Sequence, residues 1–172
     1  MKIKITQSIS IPVSKDVALG FIRRVETLPQ YEPKVRGVVV KPKSFSRGNY
    51  LAFGSLAGLK WFGEFTYHLT ERGFYSRIIS GAGGVTVFGR FIVSESLSRQ
   101  VEVMHTELYF LPWWTIVFFP MLKLYLLLLV RKELKQVRAC IMKVEPNIFS
   151  LPTLARKKVV YLKRLSPKAI SS

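Results

Sequence analysis

From Lys2 to Ile11 the chain alternates. Ile3, Ile5, Ile9 and Ile11 fall on one side, with Gln7 the polar exception, and Lys2, Lys4, Thr6, Ser8 and Ser10 fall on the other. A period of two with one apolar set predicts a half-buried strand with one wet face. Pro12 ends it, and Ser14 is placed to cap a helix that begins Lys15-Asp16-Val17. Val17, Phe21 and Val25 lie close to one helical face, bordered by Ile22, so this face is expected to be buried. A second short helical turn is expected over Thr27–Tyr31, bounded by Pro29 and Pro33.

Beyond Val35 the pattern becomes one of strands: Arg36–Lys41, Asn49–Ala57, Lys60–Thr70, Phe74–Ser80, Val85–Ser94 and Gln100–Phe110. The connections are short (Phe45-Ser46-Arg47-Gly48, Gly58, Arg72-Gly73, Gly81-Ala82-Gly83-Gly84 and Ser96–Arg99), which requires antiparallel hairpins. Seven such strands twist and curl, and their apolar face needs a cover. The segment Leu111–Val130, nearly all apolar with Lys123 its only charge, supplies one as a long helix laid across the concave side. A cavity is left wherever sheet and helix side chains do not meet. Pro120 is expected to divide this helix into an entrance segment, 113–119, and a gripped segment, 121–143. The predicted class is α+β: a curved seven-stranded antiparallel sheet wrapped around a long C-terminal helix, with two short helices after the first strand. Residues 1–145 form the domain. Residues 146–172, with Pro146, Pro152, Pro167 and no acidic residue, form a basic tail.

Twenty apolar residues are also enough to cross a bilayer core of about 30 Å, so a membrane-anchored protein is an alternative. Charge changes the picture further. The net charge is +17, from 27 basic and 10 acidic residues. From Arg131 onward eleven basic residues face only Glu133 and Glu145. A basic segment following an apolar one predicts attraction to an anionic membrane surface. Nucleic acid is the rival polyanion, not expected here, and would require Lys and Arg clustered over one face with aromatics among them. The single cysteine, Cys140, can neither close an intrachain disulfide nor hold a metal alone. MKIKITQSIS offers no continuous apolar stretch of the signal-peptide kind, so a cytoplasmic protein is expected.

Several stretches together resemble the START-like superfamily, also called SRPBCC, whose fold is the helix grip. Thr27-Leu28-Pro29-Gln30-Tyr31-Glu32-Pro33-Lys34-Val35 is similar to that family's short second helix, with Tyr31 where Trp is frequent. Glu107-Leu108-Tyr109-Phe110-Leu111-Pro112 resembles the end of its last strand, and Leu129–Val137 the closing turns of its long helix. The resemblance covers roughly residues 3 to 143 and is greatest to the polyketide cyclase/dehydrase-like and coenzyme-Q-binding branches. A second likeness, over Phe53–Ile92, is to the carbon-monoxide-dehydrogenase subunit group of the same superfamily. It implies a cavity for lipids, isoprenoid quinones or polycyclic aromatics, in a family of which only some members catalyse a reaction. The departure is the long helix, whose first half is apolar on every side.

No catalytic signature is present: no phosphate loop, no paired His/Glu metal spacing, no nucleophile elbow. No cofactor and no metal are expected. His68 shares a strand face with Phe62, Glu64, Thr66 and Thr70, opposite Trp61, Phe65, Tyr67 and Leu69, and is expected on the convex surface. His105 lines up with Val101, Val103, Glu107 and Tyr109, and the resemblance turns this set toward the cavity. The opposite face, Met104, Leu108 and Phe110, is equally apolar, so periodicity alone leaves the strand's orientation open. His105 and Glu107 in an apolar cavity could act as acid and base, or anchor a polar head.

The expected function is binding or transport of a hydrophobic small molecule, through Trp61, Phe65, Tyr67, Val103, His105, Glu107, Tyr109, Leu122 and Leu126. A cyclase, aromatase or dehydrase using His105, Glu107 or Tyr67 is the enzymatic alternative. Trp113, Trp114 and Phe118 at one end of the apolar helix, with Arg131 and Lys132 at the other, are the expected membrane contacts.

Overall fold

The computed structural model describes residues 1–56, 58–81, 86–96 and 100–149. Ala57, the loop at Ala82–Gly84 with Val85, the turn residues 97–99 and the tail from 150 onward lie outside the described residues. Strand β1 (Lys2–Ile11) leads into α1 (Lys15–Ile22), a single 3-10 turn (Val25–Thr27) and α2 (Leu28–Tyr31). Six strands follow: β2 (Val35–Pro42), β3 (Arg47–Leu56), β4 (Leu59–Thr70), β5 (Gly73–Gly81), β6 (Thr86–Glu95) and β7 (Val101–Phe110). A 3-10 segment (Trp113–Phe118) then passes into the 31-residue helix α3 (Phe119–Phe149), which continues past residue 145.

The strands form one antiparallel sheet in the order β1-β7-β6-β5-β4-β3-β2. The first two strands in sequence are therefore the two edges, and α1 and α2 carry the chain from one edge to the other. β1 pairs with β7 along its whole length, from Lys2↔Phe110 to Ile11↔Val101. This register turns Ile3, Ile5 and Ile11 inward, each at most 3% exposed. On β7 it turns Val101, Val103, His105, Glu107 and Tyr109 inward and settles the orientation that periodicity left open.

Helix α3 grips the sheet with one stripe, Leu126, Val130, Leu134, Val137 and Ile141, all at most 2% exposed. Steps of four, four, three and four residues are those of a single helical face. Pro120 lies in the first turn of α3, where its missing N–H has no partner to lose. The chain changes from 3-10 to α-helix at Phe119 rather than bending within one helix. The buried face of α1 is Ala18, Leu19, Phe21 and Ile22, with Val17 only half-buried. Phe21, Ile22 and Val25 are buried as expected, and the buried face is widened to Ala18 and Leu19 because α1 packs against α3 as well as β6. Ser14 caps α1 as expected, its Oγ accepting from the Val17 N–H at 3.4 Å.

One glycine governs how β2 begins. Gly54 pairs with Val35, and a Cβ there would stand 1.9 Å from the Lys34 carbonyl oxygen. Only a residue without a side chain lets the Lys34 backbone come so close to β3. The Ser55 N–H donates to that same carbonyl at 3.1 Å, and the pairing shifts register between Val35 and Gly37.

Candidate functional site

Between the sheet and α3 lies a cavity of about 370 Å³. Its walls are mainly apolar: Trp61, Phe65, Phe74, Ile78, Phe91, Leu122 and Leu126 among them. Phe65 stacks on Tyr50 (ring centroids 4.9 Å apart, planes 3°), and Phe74 stacks on Phe91 at 5.4 Å. One region of the wall is polar, formed by Glu32, Lys34, His105, Glu107 and Tyr109.

Three separate parts of the chain build this polar region. Strand β7 supplies His105, Glu107 and Tyr109 at alternate positions. The link from α2 to β2 supplies Glu32 and Lys34, and α3 supplies Glu133 from behind. Lys34 is hydrogen-bonded through its Nζ to Glu107 Oε1, while the Tyr109 hydroxyl donates to Glu107 Oε2. Lys34 Nζ also lies 3.7 Å from Glu133 Oε2 and 3.9 Å from Glu32 Oε2. His105 Nδ1 is 3.0 Å from Glu133 Oε1, and its Nε2 is 4.0 Å from Glu107 Oε1. The His105 ring lies flat on Phe91 (centroids 3.8 Å apart, planes 7°), and Tyr31 meets Phe91 nearly at right angles (centroids 5.7 Å apart, planes 82°). Glu133 is 0% exposed, His105 1% and Glu107 3%.

Such burial moves the acid–base properties of every member. For Glu32, loss of solvent and then the neighbouring Glu133 outweigh Lys34 and push its pKa up to about 8. For Lys34, burial works against the charge, but Glu107, Tyr109, Glu133 and Glu32 together hold its pKa well above the ordinary lysine value. The same contest decides His105, where burial is overcome by Glu133 and Glu107 and the pKa rises. Glu107 goes the other way. Burial would raise it, yet Lys34, His105 and the Tyr109 hydroxyl keep it below the ordinary carboxylate value. The Tyr109 phenol is raised by burial and by Glu107.

His105, Glu107 and Glu133 each offer one ligand atom, all within 4.8 Å of one another, a donor set that could hold a divalent ion. The Lys34 ammonium, bonded to Glu107 and close to Glu133, already supplies positive charge to two of the three. The chemistry available to the cluster is hydrogen bonding and proton exchange with whatever enters the cavity.

Of the residues singled out in the sequence, Trp61, Phe65, His105, Glu107, Tyr109, Leu122 and Leu126 meet at this cavity. Tyr67 and Val103 do not line it. Tyr67 lies across Gly48, where an added Cβ would touch its ring and hydroxyl at 2.7 Å. Val103 is 0% exposed in the core, in register with Ile9 and Val93. Both face the concave side, as the alternation implies, but the cavity occupies only part of that side. His68 is exposed on the convex side. Glu32, Lys34 and Glu133 were missed. Lys34 sits in an irregular segment with no period to read. Glu133 did leave a signal, standing three residues after Val130 and four before Val137 on the buried stripe.

The outer half of the apolar segment is bare. Trp113 is 82% exposed and Trp114 59%, and Ile116, Val117, Phe118, Met121, Leu124 and Leu128 are all above half. The helical segment Trp113–Lys143 is long and apolar enough to cross a membrane, and only 17% of its most apolar window is buried. Lys123, Arg131, Lys132 and Lys135 are exposed along it. Leu59 (76%) and Phe62 (69%), at the start of β4, are exposed as well and border the cavity. The convex face carries Arg77 and Arg90, whose guanidinium groups sit over the rings of Phe88 and Tyr75 at 5.1 and 4.8 Å. Each ring is thus engaged on one face by its own arginine, which limits its use as a platform for nucleic-acid bases.

No protein-family model matches the sequence, and no curated protein is significantly similar to it. Solved structures do match the fold. Protein TTHA0849 of Thermus thermophilus superposes with a TM-score of 0.72 at 14% identity, over 83% of this chain and 99% of that one. The Zhui aromatase/cyclase of Streptomyces sp. R1128 gives 0.71 at 11%, over 83% and 95%. A START superfamily protein of Mycobacterium smegmatis gives 0.68 at 11%, over 82% and 98%. The chain has the START-like helix-grip fold.

Proposed function

We propose that this protein binds and carries a hydrophobic small molecule in the cavity between sheet and α3. The cavity itself supports the reading most directly: about 370 Å³, walled by aromatic and aliphatic side chains, with one polar region. This lies within the usual range for small-molecule sites, roughly 300–1,000 Å³. Burial is the mechanism. A ligand hiding about 300 Å² of apolar surface gains roughly 7 kcal/mol before ordering costs. A lipid, an isoprenoid quinone or a polycyclic aromatic would suit these walls. The resemblance to an aromatase/cyclase is one of fold and assigns no reaction to this chain.

Exposure along 113–128 favours a second element of the same function, exchange of the ligand at an anionic bilayer surface. Leu111, Leu122, Leu59 and Phe62 border the cavity, and the bare residues of the 3-10 segment and of early α3 lie between Leu111 and Leu122 in the chain. Peripheral attachment there would bring the cavity's mouth to the acyl chains. A transmembrane span fits less well, since α3 also supplies the buried stripe that covers the sheet.

Titration with 1-aminoanthracene, a neutral tricyclic fluorophore, tests the carrier reading. Saturable enhancement at one dye per chain is expected, retained when Trp113, Trp114 and Phe118 are replaced by Ser. Enhancement that disappears with those exposed residues would place the dye on the surface and remove the carrier proposal.

A further inference from the structure

The polar region of the cavity has a definite charge balance, and it selects among head groups. Glu32, Glu107 and Glu133 contribute three carboxyl groups, against one ammonium from Lys34 and one imidazole from His105. Two of the acids are committed. Glu107 has Lys34 on one oxygen and Tyr109 on the other. Glu133 faces His105 and Lys34 and does not line the cavity. Glu32 differs: it lines the cavity, and its nearest charged partner is Lys34 at 3.9 Å, beyond hydrogen-bond reach. Lys34 has three N–H donors, of which Glu107 takes one, while Glu133 and Glu32 lie at 3.7 and 3.9 Å. Among the described residues, Glu32 and Lys34 therefore present hydrogen-bonding capacity to the cavity that no other side chain takes up.

We infer that the cavity takes amphiphiles head first, seats a neutral carbonyl or hydroxyl head against Glu32 and Lys34, and rejects heads ending in a carboxylate. The inference rests on the carrier reading and specifies the ligand class. A ligand carboxylate would compete with Glu107 and Glu133, which already share the Lys34 and His105 cations, and would be buried beside Glu32. Glu32 illustrates the consequence, since burial and Glu133 already drive it to hold its proton up to about pH 8. A ligand ammonium fares no better, because it would stand beside the Lys34 ammonium. A carbonyl needs only a donor, and Lys34 or the protonated Glu32 provides one. A hydroxyl can accept from the same groups or donate to the Glu32 carboxyl. Orientation follows from α3. Leu122 is at the exposed apolar end of the cavity, and Glu133 stands eleven residues further on, about 16 Å along the helix. The head thus lies deep, and the tail points to the bare apolar rim.

A matched series tests the inference: 1-dodecanol, 2-dodecanone, dodecanoic acid and dodecylamine, each used at pH 7 to displace bound 1-aminoanthracene. The alcohol and the ketone are expected to displace the dye at least tenfold more effectively than the acid or the amine. Glu32→Gln, which puts a neutral amide where the protonated acid stands, is expected to keep the gap between alcohol and acid at pH 7. In the unaltered protein the gap should widen above pH 8 as Glu32 ionises, and in the variant it should not. An acid or amine that matches the alcohol on the unaltered protein would overturn the inference, as would a dye that binds but that neither alcohol nor ketone displaces. If 1-aminoanthracene itself does not bind, the carrier reading fails, and the inference with it.

Discussion

His105 on β7 and Glu133 on α3 stand 3.0 Å apart with neither more than 1% exposed, and this contact joins the sheet to the helix that covers it. Most of the remaining α3 interface is aliphatic and would tolerate a helix sliding or turning by a residue, with exposed contacts from Arg131 Nε to Gln7 Oε1 (3.4 Å) and from Cys140 Sγ to the Gln30 carbonyl (3.6 Å) at its margin. A carboxylate at a core position does not tolerate it, because a shift would bury the charge without its partners. The pair therefore fixes how α3 lies on the sheet, and the Phe91 ring beneath His105 fixes the imidazole.

Replacing Glu133 by Leu is expected to destabilise the fold by about 3 kcal/mol, because the cations of His105 and Lys34 lose a buried counter-charge. Urea unfolding at pH 7 measures the loss. A change below about 1 kcal/mol would show that the pair does not hold α3 in place. The double variant Glu133→Leu with His105→Leu should recover part of the loss, since it leaves one fewer buried charge without a partner.

Stability should fall as pH rises from 5 to 8.5. Glu32, with its folded-state pKa near 8 against an ordinary 4.5, keeps a proton that the unfolded chain releases from about pH 4.5 upward. Its contribution turns against folding across that window. His105, raised above 6.5, contributes stability that is whole below pH 6.5 and lost as pH climbs through its folded value. The two act in the same direction. Glu107, lowered from 4.5, adds stability above that pH and loses it as the solution is acidified. Thermal melts of the protein and of Glu32→Gln at pH 5, 7 and 8.5 read this out. The variant should be flatter, and a flat profile for the unaltered chain would contradict the assignment.

Gly54→Ala should cost roughly 2–3 kcal/mol, since the new Cβ would overlap the Lys34 carbonyl and the backbone must move apart. It should also weaken 1-aminoanthracene binding, because Lys34 moves with its backbone. Gly58→Ala is a control for conformational strain, with φ at +83° but nothing within 4 Å of the added carbon. It should lower stability and leave binding intact. Equal loss of binding in both variants would detach Lys34 from the site.

Co-sedimentation with phosphatidylglycerol vesicles is expected at low salt, with a marked fall at high ionic strength and release by alkaline carbonate. Trp113→Ser, Trp114→Ser and Phe118→Ser together should abolish it while leaving the melting temperature nearly unchanged, since these side chains are exposed. Retention in the carbonate-washed pellet would favour a transmembrane helix. No sedimentation at low salt would remove the membrane from the function.

Much of the fold was legible because alternation is a local signal. β1 and β7 were readable from isoleucines and from Val101, Val103 and Tyr109, and the hairpins from their short connections. The face of α1 was read through Phe21, Ile22 and Val25, which are buried, but Ala18 and Leu19 were not included, because the helix packs against α3 as well as the sheet and pattern alone does not reveal the second neighbour. The site was half legible. His105 and Glu107 stood out as polar residues on one face of β7, but it took the family resemblance to turn that face toward the cavity. Glu133 was counted among the charges of a basic segment, although its spacing from Val130 and Val137 places it on the gripping stripe. Lys34 could not have been found this way, since its position depends on the close approach at Gly54 across twenty residues.

The pairing of β1 with β7 also sets a timetable for synthesis. Ile3, Ile5, Ile9 and Ile11 have no strand partner until Val101–Phe110 has been made, about a hundred residues later. At 5–20 residues per second this leaves them waiting for roughly 5–20 s on the ribosome. Throughout that interval the nascent chain presents an unpaired, half-apolar strand, and the late residues that end its exposure are the same ones that bring His105 and Glu107 to the cavity.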